Sequence, residues 1–247
     1  MASSDGLALH VSLPAIRLGG RAILGAARLD VAAGRLTALL GPSGVGKSTL
    51  LRLLAGLLPL PPGARVTTGD GRPLQGRVAW MGQQDLLLPW LDLIGNVALG
   101  ARLRGERPDL DRARALIAAV GLAGREGARP AQLSGGMRQR AALARTLMED
   151  RPIVLMDEPF SAVDAPTRHR LQGLAAGLLR GRTVLLVTHD PLEALRLAHR
   201  ILVLRPAPDG AVAEEQPMPP GEPLRPAHEP AVLAAQAALL ERLAEAV

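Results

Sequence analysis

The 247-residue sequence predicts an α/β fold, a mainly parallel sheet flanked by helices, with a phosphate-binding loop at the end of one strand. Three observations predict it. Short apolar runs alternate with helical patterns along most of the chain. A Gly-rich stretch fits the pattern Gly, four residues, Gly-Lys-Ser, and lies between such a run and a helical pattern. An acid pair, Asp157-Glu158, ends another apolar run, and open α/β sheets place their ligands at such strand ends.

In order, strands are predicted over 11–18, 35–40, 77–81, 153–157, 183–188 and 200–204. Helices are predicted over 47–58, 111–120, 135–149, 165–179 and 191–198. The stretch 84–150 lacks a convincing strand and reads as a helical insert. Proline-rich residues 206–230 read as extended or loop-like. Residues 231–247 have helical spacing, with Leu233, Leu239, Leu240 and Leu243 expected on one side. The chain has no internal repeat.

Composition removes several function classes. Hydrophobic residues make up 48%, ample for a buried core. With 0 Cys there is no disulfide scaffold, thiolate metal site or cysteine nucleophile. No apolar window is long enough to span a bilayer. Residues 1–10 carry no basic region followed by an apolar block, so a cytoplasmic location is expected. The net charge of +6 raises nucleic acid as a partner, but the cations are dispersed Arg and the aromatics are only Trp80, Trp90 and Phe160. Without stacking faces beside the cations, no nucleic acid is expected. Lys47 is the only lysine, so its position asks for a compact ammonium rather than a planar fork.

Lys47 closes the strongest motif, Gly41-Pro42-Ser43-Gly44-Val45-Gly46-Lys47-Ser48-Thr49. Glycines let successive N–H groups curl toward phosphate oxygens, and the helix that follows offers its positive end. Lys47 can reach the β- and γ-phosphates, and the Ser48 hydroxyl can ligate Mg²⁺. At the end of the run 153–157, Asp157 would hold Mg²⁺ directly or through water, and Glu158 would act as general base toward an attacking water. Taken singly, these are also a Gly-rich turn and a solvated acidic turn. Leu133-Ser134-Gly135-Gly136-Met137-Arg138-Gln139-Arg140 adds an N-cap with two glycines that bare backbone amides. It reads as an ordinary capped helix or as a second anion site. One nucleotide does not need both loops, so as an anion site it would serve a nucleotide held by another subunit.

Together these motifs make the chain resemble the ATP-binding cassette (ABC) ATPases over about residues 11–204. Residues 133–139 resemble the family signature, with Met137 for the usual Gln. Gln83 matches the family's switch glutamine, Pro159-Phe160-Ser161-Ala162-Val163-Asp164 its D-loop, and His189 the switch histidine at the γ-phosphate. The resemblance implies a phosphate-loop fold with an antiparallel β edge. It implies a RecA-like nucleotide core over 1–83 and 151–205, a helical signature subdomain over 84–150, and a Pro-rich tail over 206–247 that ends in a short helix. Glu158, His189 and Gln83 would be catalytic, and Ser48, Gln83 and Asp157 would be the Mg²⁺ ligands. Residues 41–49 would bind ATP with Ser134, Gly135, Gly136 and Asp164.

The implied assembly is a head-to-tail pair of identical copies, each ATP lying between one Lys47 loop and the other Ser134 loop. Transmembrane permease subunits would dock near Gln83 and the helical insert, on the cytoplasmic face of the plasma membrane. Leu86, Leu87, Leu88 and Trp90 are candidates for that groove or for the insert's own core. Residues 83–90 are similar to the subgroup linked to nitrate, sulfonate, taurine and thiamine-precursor pyrimidine uptake. An importer of a small organic or anionic solute is expected, served indirectly by a periplasmic or extracellular binding protein. The alternatives are a soluble cassette ATPase acting on nucleic acid or ribosomes, and a small-metabolite kinase. The family's adenine-stacking aromatic has no counterpart before Gly41, where Leu18 or a neighbour falls, so weak adenine discrimination is expected.

Overall fold

The structure is a computed structural model that describes residues 6–18, 21–208 and 210–245. From the amino end, β1 (Leu9–Leu13), β2 (Ile16–Leu18), β3 (Arg21–Leu24), β4 (Ala27–Val31) and β5 (Leu36–Leu40) lead into α1 (Lys47–Leu54). Next come β6 (Arg65–Thr68), β7 (Val78–Met81), α2 (Leu93–Val97), α3 (Leu99–Leu103), α4 (Leu110–Ala119) and α5 (Gly135–Met148). The order closes with β8 (Ile153–Asp157), α6 (Ala165–Leu178), β9 (Thr183–Val187), α7 (Pro191–Leu197), β10 (Arg200–Ala207), β11 (Gly210–Gln216) and α8 (Pro230–Glu245). Two compact units divide the chain: Met1–Val78 with Pro152–Asp157 and Arg180–Val247, and Ala79–Arg151 with Glu158–Leu179.

In the first unit β10, β5, β9 and β8 lie side by side and parallel. β5, β8 and β9 are buried at every residue, which is why they read as unbroken apolar runs rather than alternating ones. β11 pairs antiparallel with β10, and β2 antiparallel with β3, so one end of the sheet is an antiparallel edge. A separate antiparallel sheet, ordered β4-β1-β6, buries alternate residues, with Leu9, Val11 and Leu13 inward on β1.

The stretch 11–18 is not one strand. β1 stops at Leu13 and β2 starts at Ile16 in a different sheet. Pro14, between them, has no N–H for a ladder, so the chain changes sheets there. Helix 47–58 is also shorter than its apolar pattern suggests. Gly56 takes φ 73°, its N–H donates to the Leu53 carbonyl at 3.1 Å, and the Leu57 N–H donates to the Arg52 carbonyl at 2.9 Å. That pair of hydrogen bonds ends α1 at Leu54, four residues before the predicted end at Leu58.

The proline-rich stretch is extended as expected, but its first part is paired: β11 is hydrogen-bonded along β10. After it, α8 packs on α7. The α8 faces differ from the predicted grouping. Val232 and Leu239 are buried, whereas Leu233 and Leu240 are 51% and 49% exposed. Val232 and Leu239 lie seven residues apart on one ridge of the helix; Leu233 and Leu240 sit one position round the helix from them. Arg225, 5% exposed, ties the tail down. Its Nη1 donates to the carbonyls of Leu195 (3.0 Å) and Ala198 (2.8 Å), and its Nε and Nη2 to those of Pro220 and Gly221. It thereby satisfies orphan carbonyls at the carboxyl end of α7.

In the second unit α2, α4 and α5 pack together. Asp92 and Asp109 cap α2 and α4, accepting from Gly95 N–H at 2.8 Å and Arg112 N–H at 2.9 Å. Arg140 on α5 donates to the carbonyls of Val120 (3.1 Å) and Gly121 (3.0 Å) where α4 ends. Fully buried Asn96 on α2 holds the preceding loop from inside: its amide donates to the carbonyls of Leu88, Leu91 and Asp92, and its Oδ1 accepts from Leu88 N–H at 2.7 Å. Of the groove candidates, Leu87 is buried and belongs to the core, while Leu86 and Trp90 are 50% and 67% exposed.

Replacing Arg225 leaves buried carbonyls without donors, so Arg225→Ala is expected to lower unfolding stability by about 2 kcal/mol in chemical denaturation. Arg225→Lys should recover only part of that loss, because an ammonium cannot reach carbonyls on several sides at once.

Candidate functional site

In the first unit the loop after β5 carries the phosphate motif. Leu39 of β5 is paired with Val187 of β9, and Val187 with Asp157 of β8. Gly41, Asp157 and His189 therefore leave the carboxyl ends of three adjacent parallel strands on one edge. Asp157 is 2% exposed there.

The loop is shaped by two glycines that no other residue replaces. Gly46 caps α1 with φ 104°, and a Cβ on it would lie 3.0 Å from Ile23 Cγ2 and 3.2 Å from the Ile23 carbonyl. At Gly41 a Cβ would meet the Leu204 carbonyl of β10 at 2.5 Å. No side chain caps α1, so its first N–H groups face the loop and the helix presents its positive end to it. Lys47 is 8% exposed, and its Nζ donates to the carbonyls of Gly41 (2.7 Å) and Pro42 (2.8 Å). The ammonium is thus drawn back over the loop, where it adds charge-assisted bonds to any anion held there.

The second unit gathers Gln83, Glu158, the Ser134 loop and Asp164. Gln83 Nε2 donates to Glu158 Oε2 at 3.3 Å. Glu158 itself has φ 49°, a left-handed conformation that a non-glycine residue keeps only when its surroundings hold it. Three donors do so at its carbonyl: Ser161 N–H (3.3 Å), Ser161 Oγ (3.1 Å) and Gln139 Nε2 (3.4 Å).

Ser134 is the N-cap of α5, accepting from Met137 N–H at 3.3 Å. Gly136 packs against the D-loop, and a Cβ there would lie 3.2 Å from the Ala162 carbonyl. Asp164 caps α6 by accepting from Thr167 N–H at 3.1 Å. That bond holds its carboxyl below the usual carboxylate range, so it stays ionised on mild acidification. Gln139, Ser161, Asp85 and Arg138 stand in segments named from the sequence, but none was given a role of its own there. Gln139 lies in the same octapeptide as Ser134, but nothing in the spacing tells that its amide reaches Glu158. The side chain of Leu18, the position noted for adenine, lies outside the described residues.

A phosphate loop at the carboxyl end of a central parallel strand, with an acid pair ending the parallel strand two places along the same sheet, defines a nucleoside triphosphatase of the phosphate-loop class. The family described as ABC transporter matches residues 24–161. An aliphatic sulfonates import ATP-binding protein, SsuB, of Delftia acidovorans is 46% identical over 226 residues, 91% of this chain and 89% of that protein. A taurine import ATP-binding protein, TauB, of Yersinia pestis is 44% identical over 219 residues, 83% of this chain and 85% of that one. Among solved structures, the ATP-binding cassette MJ0796, in a dimeric post-hydrolysis state bound to ADP and Pi, superimposes with a TM-score of 0.72 at 30% identity, covering 88% of this chain and 99% of that one. The chain belongs to the ABC transporter family, and it is an ATP-binding, ATP-hydrolysing subunit of that family. No helix among the described residues is long and apolar enough to cross a membrane.

Gly46→Ala places a side chain at a left-handed position against Ile23. It is expected to cost at least about 1 kcal/mol of stability and to abolish measurable ATP binding in calorimetry.

Proposed function

We propose that this chain is the ATPase subunit of an importer for a small anionic organic solute of the sulfonate or taurine kind. Separate transmembrane permease subunits would be its partners, on the cytoplasmic face of the plasma membrane, fed by a periplasmic or extracellular binding protein. The observation that carries the reading is the likeness to import ATP-binding proteins for aliphatic sulfonates and taurine over 91% and 83% of the chain. Exposed Leu86 and Trp90, beside Gln83, are assigned to the permease-facing groove.

Two copies pair head to tail, as the dimeric state of the solved relative supports. Residues 41–49 of one copy take the triphosphate, and Ser134, Gly135 and Gly136 of the other meet its γ-phosphate, with Asp164 at the junction. Functionally, 1–83 and 151–205 form the nucleotide core, 84–150 the signature subdomain and 206–247 the tail.

Ser48, Asp157 and Gln83 offer a hydroxyl, a carboxylate and an amide oxygen, all hard donors that fit Mg²⁺. Bound there, the ion would neutralise charge on the β- and γ-oxygens. The chain does the rest. Lys47 and the loop amides hold the phosphates in place. Glu158, with its backbone fixed by Gln139 and Ser161, accepts a proton from the attacking water. Gln83 orients that carboxylate through its amide, and His189 bonds the γ-phosphate. Loss of the γ-phosphate removes the group that bridges the two copies, so they separate.

Glu158→Gln keeps the shape of the side chain and removes the base. It is expected to hold an ATP-bound dimer by light scattering while turnover falls by about a hundredfold or more; a monomer hydrolysing at the parent rate would contradict the assignment. Lys47→Ala should weaken ATP binding by at least about tenfold. Affinity purification should recover a permease, and recovery with ribosomes alone would refute the importer reading. With no upstream aromatic, GTP should be hydrolysed within about tenfold of ATP; a thousandfold preference for ATP would count against that.

A further inference from the structure

We propose that Arg138 is a positioning residue that makes the Gln83 loop and the Ser134 loop move as one piece. The proposal rests on the reading above, in which Gln83 orients Glu158 at one nucleotide and Ser134 meets the nucleotide of a second copy. Arg138 lies on the first turn of α5, four residues past Ser134. Its Nε donates to Asp85 Oδ2 at 3.0 Å, and its Nη1 donates to the Leu133 carbonyl at 2.9 Å. One planar guanidinium therefore bridges a carboxylate two residues past Gln83 and the peptide that immediately precedes Ser134. Only Arg has donors in a fixed fork that can hold both ends at once.

The Gln83 side of this bridge is stiff. Asp85 Oδ1 accepts from Leu87 N–H at 3.1 Å, closing a tight turn on itself. Arg145, about two turns further along α5, donates to the carbonyls of Asp85 (2.6 Å) and Leu86 (2.8 Å). Leu86 is held at φ 49°, a left-handed conformation that these bonds over-determine. The segment after Gln83 is thus carried by α5, the helix whose amino end is the Ser134 loop.

The side chains of Arg138 and Asp85 are 37% and 28% exposed, so the pair adds little to stability. Its consequence is geometric. A displacement of the Gln83 loop pulls Asp85, Arg138 and the Leu133 carbonyl in turn, and reorients Ser134 toward the other copy. Without the bridge Arg145 still ties the segment after Gln83 to α5, but the direct link from Asp85 to the peptide before Ser134 is lost and the two loops follow each other less closely.

The experiment is run in the Glu158→Gln background, reading the ATP concentration at which half of the protein is dimeric by light scattering. Arg138→Met, which keeps the stem and loses the fork, should raise that concentration about tenfold. Binding of a fluorescent ATP analogue to dilute monomer, and the unfolding midpoint, should stay within twofold and within about 2 °C of the parent. Arg138→Lys should restore only part of the loss. Asp85→Asn should act like Arg138→Met, and the two together should be no worse than either alone. If Arg138→Met or Asp85→Asn dimerises at the parent ATP concentration, or if their effects add, the proposal is overturned while the shared-pocket reading stands. If the Glu158→Gln parent does not dimerise at all with ATP, both fall.

Discussion

A triphosphate can be gripped by a protein only where many N–H groups point at one place and no side chain intervenes. The rest of this molecule follows from meeting that demand between β5 and α1. The chain must turn sharply at Gly41 against the backbone of β10, curl through a left-handed Gly46, and enter a helix whose first amides are left uncapped. Such a turn holds its shape only if the elements on either side cannot move. β5 is buried at all five residues, and α1 buries Leu50, Leu51, Leu53 and Leu54 beneath it. Lys47, whose ammonium bonds the loop's own carbonyls, then completes a concave, positively charged cradle.

The second unit is organised around a single helix. α5 carries Ser134 at its amino end, Gln139 against the carbonyl of Glu158, Arg140 on the end of α4, and Arg138 and Arg145 on the loop after Gln83. Its buried residues include Ala141, Ala142 and Ala144, whose small side chains leave room for neighbouring backbone to approach. That is why so many bonds here run from a long polar side chain to backbone. The same closeness appears at Gly136, where a Cβ would press on the Ala162 carbonyl at 3.2 Å. The strained turn at Glu158 depends on this scaffold, since nothing in its local sequence favours a left-handed glutamate.

The tail uses different physics. Its proline-rich path cannot build a ladder of its own after β11, so it relies on one buried arginine and one helix face. Arg225 bonds carbonyls at the carboxyl end of α7 and in the tail's own turn, and α8 then packs on α7 with Val232 and Leu239 buried. Since α7 starts just after His189, the tail packs on the helix that follows that residue.

How much of this was legible from sequence differs by feature. The parallel strands β5, β8 and β9 were legible because burial on both faces writes itself as an unbroken apolar run, and the phosphate loop because its chemistry needs glycines and a lysine at set intervals. Strands β3, β4, β6 and β11 were not, because a strand of four to seven residues with mixed polarity has a composition that loops share. The break at Pro14 and the stop at Gly56 were present in the sequence but lost under the apolar runs around them. Which residues support the site was decided only in three dimensions. Gln139, Asn96, Arg138 and Asp85 are ordinary polar residues by type and spacing, and they matter because the fold brings their donors or acceptors to partners up to tens of residues away. A chain records such a bond at neither end, since any of several polar residues could make it and only the packed backbone selects one.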